Sequence, residues 1–506
     1  MHILFLTDNF PPEVNAPASR TFEHCREWVK AGQEVTVITC FPNFPKGKVY
    51  DGYRNRLRPQ TETIDGIRVI RVWSYITANE GFVKRILDYM SFMVSAVVAS
   101  PAVNRPDVVI GTSPHFFTAC AAYLVSRIKR VPFVFELRDI WPESIKAVGA
   151  MNDSAVIRLL EKVEMFLYRK AALIVSVTES FKKTLVRRGV TGEKIHVVRN
   201  GVDLARFRPM PKDPELVKRY GLEGKFVAGY IGTHGMAHAL ETLLDAAQKI
   251  GTDTYLFSTE PPSSSVNAVN GDSSLLILLR QFTKSPLFPL CQRGKLLSPS
   301  FSLAKRGEGR FPDQTAQHIR LASRHGKSGD TIPISDEIGS CPQIYPAPAP
   351  SPVFLFLGDG ARKQELMAEA RRRGLDNVLF LDSVPKEKVV RYWSLLDVSI
   401  IHLRKTELFT MVIPSKLFES MGMGIPVLLG VAGESAEIVE KEGVGLTFEP
   451  ENAEALCDAL LRLRDSPDLY GRLRDRCIRA AGNYDRETQA AAMLVLLTSS
   501  KENVSN

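Results

Sequence analysis

The chain has no C-x-x-C pair, no apolar run long enough to cross a bilayer, and no basic cluster interleaved with aromatic residues. Each absence removes a class of protein. Cys25, Cys40, Cys120, Cys291, Cys341, Cys457 and Cys477 are odd in number and scattered, which speaks against a disulfide frame or a zinc site and for reduced thiols in the cytosol. The longest apolar run, Met90 to Ala99, is cut by Pro101; a spanning helix needs about 20 apolar residues. That run, preceded by Lys84, Arg85 and Asp88, reads either as a helix lying in a membrane surface or as a core helix. The N-terminus enters His2-Ile-Leu-Phe-Leu6 directly, without the basic region and cleavage site of a signal peptide. Nucleic acid is not an expected partner.

What is present fits a globular enzyme. A length of 506 residues calls for two domains or more. The charge is +9, which suits an anionic membrane face or phosphorylated substrates.

Short apolar runs alternate with helical patterns through the first half: Ile3 to Leu6, Glu34 to Thr39, Ile67 to Val72, Asp107 to Gly111, Pro132 to Leu137, Leu173 to Val177 and Ile195 to Val198. Alternation of this kind predicts an α/β, doubly wound parallel sheet with its binding crevice at the strand C-termini. The loops there are Thr7 to Pro17, Thr112 to Phe117 (with His115), and Glu136 to Ser144, where Arg138, Asp139, Trp141 and Glu143 resemble a polyol site. Asn200-Gly-Val-Asp203 is a turn, and the charged stretch that follows reads as a linker.

A second nucleotide-fold half opens at Phe226 to Ile231. The turn Gly232-Thr233-His234-Gly235 and a helix to about Ile250 follow, an arrangement that can cradle phosphate. From Gly251 to Pro352 the pattern collapses into Ser, Pro and Gly, with a near-duplicate at Ser285 to Gly294 and Ser298 to Gly307. Loops at such a position have about 2–6 residues, so this span reads as a disordered insertion that the host fold tolerates. Alternation resumes at Val353.

The most informative stretch is Pro414-Ser-Lys-Leu-Phe-Glu419, closed by Gly422-x-Gly424 and Pro426. Pro414 and Ser415 suit a helix start, with Ser415 as the cap. Lys416 and Glu419 share one face of that helix, whose free amides and positive dipole suit a diphosphate.

The Pro-Pro-Glu of the first loop, Arg138-Asp139-x-Trp141-Pro-Glu143-Ser144, Asn200-Gly-Val-Asp203, Phe356-Leu-Gly-Asp-Gly360 and Pro414-Ser-Lys-x-x-Glu419 occur in this order. The set resembles the retaining glycosyltransferases of family 4, of the GT-B fold. It is most similar to the branch that adds amino sugars in bacterial O-antigen, capsule or exopolysaccharide assembly. The resemblance implies two Rossmann-like domains facing across a cleft. The acceptor-binding domain spans 1–205 and the linker 206–225. The nucleotide-sugar domain spans 226–250 and 353–482, interrupted by the insertion 251–352, and a final helix, 483–506, crosses back.

The resemblance also implies roles. Gly232, Thr233, His234, Gly235, Lys416, Leu417 and Glu419 would hold the donor nucleotide and diphosphate, with Glu419 on the ribose. Met411, Ile413, Pro414 and Ser415 would meet the donor sugar, Met411 standing where family members often carry a glutamate. His115, Arg138 and Asp139 would serve as catalytic groups. No cofactor and no metal are implied. The donor would be a UDP-sugar carrying an N-acetylhexosamine or a deoxy-amino sugar. The acceptor would be a lipid-linked saccharide, and the protein would be cytoplasmic and peripheral at the inner face of the membrane. The alternatives are a nucleotide-sugar 2-epimerase of the same fold, or an inactive membrane-associated protein disabled by the insertion.

Overall fold

A computed structural model of the chain describes residues 1–44, 47–77, 82–140, 155–257 and 351–505. Trp141, Glu143 and Ser144 lie outside them, as does nearly all of the predicted insertion. The chain divides into one unit of Met1–Thr259 with Pro348–Asn506, and a second of Glu260–Ala347 that also lies outside the described residues.

The first half of the large unit runs β1 (His2–Leu6), α1 (Ala16–Lys30), β2 (Glu34–Cys40), β3 (Gln60–Ile64), β4 (Ile67–Val72), α2 (Phe82–Ala99), β5 (Val108–Thr112), α3 (Phe116–Lys129), β6 (Phe133–Leu137), α4 (Ala155–Lys170), β7 (Leu173–Ser176), α5 (Glu179–Arg187) and β8 (Ile195–Val197). Its eight strands lie in the order β3-β4-β2-β1-β5-β6-β7-β8. All pairs are parallel except β3 with β4. The β3–β4 hairpin was not expected, because Gln60, Thr61 and Glu62 carry no apolar run. Its turn is Asp65-Gly66, both at positive φ, 48° and 80°, the pair of angles that a two-residue hairpin turn asks for.

The second half runs α6 (Pro214–Tyr220), β9 (Phe226–Ile231), α7 (Glu241–Phe257), β10 (Pro352–Leu357), α8 (Lys363–Arg372), β11 (Val378–Leu381), α9 (Val389–Trp393), β12 (Val398–His402), α10 (Lys416–Met423), β13 (Val427–Gly430), α11 (Glu434–Glu442), β14 (Gly445–Thr447), α12 (Ala453–Arg464), α13 (Pro467–Ala481) and α14 (Arg486–Ser505). Its sheet, β11-β10-β9-β12-β13-β14, is wholly parallel. Strands buried on both faces read as continuous apolar runs, as Phe226 to Ile231 does. The stretch read as linker holds α6, capped by Asp213, whose carboxylate accepts from Leu216 N. Helix α7 continues to Phe257, past the predicted stop at Ile250. The chain returns at the N-terminal end of β10, away from the C-terminal loops.

The last helix joins the halves. Ala490, Met493 and Leu497 of α14 are buried in the core beneath β1, β2 and β5, and Trp28 Nε1 of α1 donates to Ala490 O at 2.9 Å. A second junction is Glu434, at the start of α11. Its two carboxylate oxygens accept from Glu179 N (3.0 Å) and Ser180 N (2.8 Å) at the N-terminus of α5, where the helix dipole favours a negative charge.

Candidate active site

Two cavities open at the strand C-termini, and the first turn of α1 is the wall between them. Val14, Ala16 and Ser19 face one, of about 390 Å³, between the two halves. Asn15 and Pro17 face the other, of about 240 Å³, within the N-terminal half. Asn15 caps the helix, its side chain accepting from Ala18 N at 2.8 Å.

The interlobe cavity is built on glycine. Strand β9 ends in Gly232 at φ +147°, where a Cβ would stand 2.6 Å from Lys416 Nζ. At Gly358, φ +148°, a Cβ would overlap the Gly232 carbonyl. Both positions favour glycine by backbone and by space, and the closeness lets Lys416 reach over the turn. The amides of Gly232 and His234 are engaged by Leu357 O and Asp359 O, each at 2.9 Å, so the turn offers a ligand only part of the expected cradle.

Lys416 is the first residue of α10, and Ser415 before it makes no capping bond. The serine stands in the cavity wall instead, with Pro414, Lys416 and Glu419. Lys416 Nζ sits 3.7 Å from the Tyr230 ring centroid, a cation–π contact. Burial pulls the ammonium down to about 7, against the opposing pull of Glu419. Burial raises the Glu419 carboxyl, with Lys416, Arg206 and Lys386 opposing.

Four more cations line this cavity, from positions far apart in the chain: Arg20, Arg206, Lys386 and Arg486. Each is already paired. Arg20 bonds Glu136 (2.9 Å), Val198 O (3.1 Å) and Arg199 O (2.9 Å). Arg206 donates to the Lys386 carbonyl. Lys386 Nζ reaches Glu23 Oε1 at 2.9 Å and Ser19 Oγ at 3.1 Å, and Arg486 bonds the other oxygen of Glu23. Among the described residues Lys416 Nζ has no oxygen partner. It faces the cavity from the start of a helix.

The second cavity has the opposite character. Asp8, Glu13 and Asp88 line it with His115, Tyr89, Phe44 and one guanidinium, Arg85. Glu13 accepts from the amides of Asn43 and Phe44, both at 2.8 Å, and of Phe10 at 3.3 Å. Burial pushes its carboxyl up to about 7. Burial, with Asp8 beside it, does the same to Asp88. His115 is buried, with Thr118 Oγ1 2.8 Å from Nδ1 and the Tyr89 ring centroid at 3.7 Å. Its Nε2 lies 3.7 Å from Asp8 Oδ1 without a hydrogen-bond partner.

The structure thus brings Gly232, Thr233, Pro414, Ser415, Lys416 and Glu419 together, and places His115 in the second cavity. Other expectations need correction. The His234 side chain turns inward, fully buried with Phe356 and Phe380 at 6.2 Å, and Gly235 is not part of the cavity wall. Leu417 and Ile413 are core residues. Met411 packs on the N-terminal half, its Sδ accepting from Thr184 Oγ1 at 3.4 Å. Arg138 and Asp139 line neither cavity. Arg138 donates to Ala16 O (3.2 Å) and Pro17 O (3.3 Å), bracing the start of α1, and burial lowers it to about 10. Asp139 N donates to Ser113 Oγ at 3.1 Å. Sequence reasoning missed Glu23, Arg206, Lys386 and Arg486 as site groups, and Asp8, Glu13 and Asp88 beside His115.

Comparison with known proteins agrees with this architecture. The chain's coordinates overlay sucrose-phosphate synthase from Thermosynechococcus elongatus with a TM-score of 0.65 at 14% identity, over 98% of each chain. HepE from Anabaena, solved in complex with UDP-glucose, gives 0.59 at 15% identity, over 99% of this chain and 100% of that one. WaaG, a glycosyltransferase involved in lipopolysaccharide biosynthesis, gives 0.58 at 11%, over 98% and 99%. The fold they share with this chain is GT-B. No curated protein matches the chain by sequence. Two family models do match it, the glycosyl transferase 4-like domain over residues 15–201 and glycosyl transferases group 1 over 338–466, which together span more than half its length. The chain belongs to the group 1 glycosyltransferases and is a transferase.

Proposed function

We propose that the protein moves an N-acetylhexosamine or deoxy-amino sugar, with retention of configuration, from a UDP-sugar to a lipid-linked saccharide in surface polysaccharide assembly. The observation that carries the donor half is Lys416: a side chain with no oxygen partner among the described residues, at the N-terminus of α10, over the Gly232–Thr233 turn of a 390 Å³ cavity. A departing diphosphate needs its charge stabilised in the transition state. Lys416, at the positive end of α10, supplies that, and binding an anion restores the ammonium's charge. Glu419, one turn further on, accepts from the ribose hydroxyls. Phe207, Val389 and Trp393 give the same cavity an apolar side for a base.

The acceptor half draws on helix α2. Arg85, Asp88 and Tyr89 line the second cavity, while Leu87, Met90, Val94 and Val98 of the same helix form an exposed stripe. The run that sequence left open as interfacial or core has a buried face, Phe92, Ala96 and Ala99, opposite that exposed one. Leu124 and Ile128 of the adjoining α3 are exposed as well, as are the cations Lys84, Arg127 and Arg130 of the two helices and their ends. An apolar face bordered by cations suits peripheral attachment to anionic lipid. It would set the acceptor cavity beside a lipid carrier. Among the described residues no helix is long and apolar enough to cross a membrane. A second cavity beside the nucleotide site also favours transfer over 2-epimerisation, which needs no acceptor.

Calorimetric titration of UDP into wild type and Glu419→Ala tests the donor site. A large loss of affinity in the variant is expected; unchanged binding removes the assignment.

A further inference from the structure

Three groups in the wall of the interlobe cavity converge on a residue that is not in that wall. Tyr230, near the C-terminal end of β9, is fully buried, in the core shared with Phe226, Phe354 and Phe356. Lys416 Nζ lies 3.7 Å from its ring centroid. Its hydroxyl donates to Thr233 O at 2.8 Å, and burial raises its pKa, so the group stays a donor. The His238 ring packs edge-on against it, with centroids 5.7 Å apart. Lys416, Thr233 and His238 line the cavity, and Tyr230 does not.

Two of these contacts constrain groups that a diphosphate meets. The face of an aromatic ring attracts an ammonium, and among the described residues Lys416 Nζ has no oxygen partner, so the ring sets where the amine stands. The Thr233–His234 peptide is held at both ends, Thr233 O by the Tyr230 hydroxyl and His234 N by Asp359 O at 2.9 Å. A carbonyl oxygen repels phosphate, and the first of these bonds holds the Thr233 carbonyl on a buried hydroxyl. Phenylalanine in place of Tyr230 would keep the ring face and lose the hydroxyl bond; leucine would lose both.

We infer that Tyr230 is a positioning residue of the donor site, its ring carrying the Lys416 amine and its hydroxyl fixing the Thr233 carbonyl, so that amine and turn are presented together to the donor's diphosphate. The inference rests on the proposed nucleotide-sugar donor. Tyr230 touches no ligand itself and acts through Lys416 and Thr233.

The test titrates UDP and uridine, the same nucleoside with and without the diphosphate, into wild type, Tyr230→Phe and Tyr230→Leu. UDP affinity should fall a few-fold in the phenylalanine variant and at least about tenfold in the leucine variant, while uridine binding stays as it was. In a Lys416→Met background, Tyr230→Leu should cost only the few-fold loss seen with phenylalanine, because the amine it carried is gone. Proton NMR of wild type adds a readout that needs no Tyr230 variant. The protons next to Lys416 Nζ, identified by their loss in Lys416→Met, should be shifted upfield by the ring, and UDP should move them. UDP affinity unchanged in Tyr230→Leu, uridine lost along with UDP, an equal loss in the Lys416→Met background, or a Lys416 signal at the ordinary lysine position each overturns the inference alone. Failure of UDP to bind wild type overturns the donor-site assignment beneath it as well.

Discussion

Two cavities a helix turn apart have been given opposite charge by different means. The interlobe cavity gathers cations from both halves, Arg20, Arg206, Lys386, Lys416 and Arg486, around Glu23 and Glu419. The N-terminal cavity gathers carboxylates from the loop after β1 and from α2. In the first, every cation but Lys416 has an oxygen partner; in the second, His115 Nε2 lacks one. The contrast teaches that charges gathered from distant stretches of the chain can give neighbouring cavities different linings.

Reversing the first sign should have the largest effect. Lys416→Glu places a second carboxylate beside Glu419, and UDP affinity should fall by at least about 100-fold, since hydrogen bonds to charged groups contribute about 1.5–3 kcal/mol and repulsion adds to their loss. Titration calorimetry reads this directly; binding within a few-fold of wild type would erase the contrast.

The shared wall comes next. Glu23 is buried and holds Lys386 from one half and Arg486 from the start of α14. Glu23→Gln leaves two cations short of a counter-charge and should lower stability by about 2–3 kcal/mol, because breaking a buried ion pair costs about 3–5 kcal/mol and Lys386 is partly solvated. Denaturant unfolding of the two proteins checks this, and an unchanged midpoint would show that these ion pairs do not stabilise the fold.

A smaller effect should follow pH. Lys416 is held near 7 in the free protein by burial, and an anion beside it favours the charged form, so bound Lys416 titrates higher. UDP affinity should then weaken as pH rises above 7, by up to about tenfold per unit, until the bound pKa is passed. For the free protein the sign runs the other way. The lysine binds its proton more weakly folded than unfolded, so its cost grows as pH falls from 10.5 to about 7 and is complete below that. Lys416→Met should therefore melt higher than wild type at pH 7, by a margin that narrows towards pH 10.

The smallest change concerns the exposed apolar stripe of α2. Val94→Ser with Val98→Ser should reduce partition to anionic vesicles several-fold while leaving UDP binding as it was, since each buried methylene contributes about 0.8 kcal/mol. Equal partition in a sedimentation assay would contradict the proposed membrane contact of the apolar stripe.

Sequence exposed those parts of the molecule whose cause is local. The parallel strands were legible because burial on both faces leaves continuous apolar runs, and β3 was not, because an exposed antiparallel edge strand leaves none; Asp65-Gly66 was its one available mark. In the same way Lys416 and Glu419 could be paired from their spacing, and Gly232 from its place after a strand. His234 could not be placed that way. Within Gly232 to Gly235 the backbone direction decides which side chain turns inward, and here the histidine joins Phe356 and Phe380. Glu23, Arg206, Lys386 and Arg486 converge from four distant stretches, so nothing local marks them as one site. Arg138 and Asp139 drew notice for their chemistry, yet Arg138 serves by fixing the first turn of α1.

The most direct measurement is a UDP titration at pH 8, in two buffers of different ionisation heat, on wild type and Lys416→Met. Wild type should take up close to one proton per UDP bound, seen as a buffer-dependent heat. The variant should bind at least about tenfold more weakly, with that uptake gone. Equal affinity in the variant, or a wild-type heat indifferent to buffer, would contradict Lys416 as the waiting partner of the diphosphate.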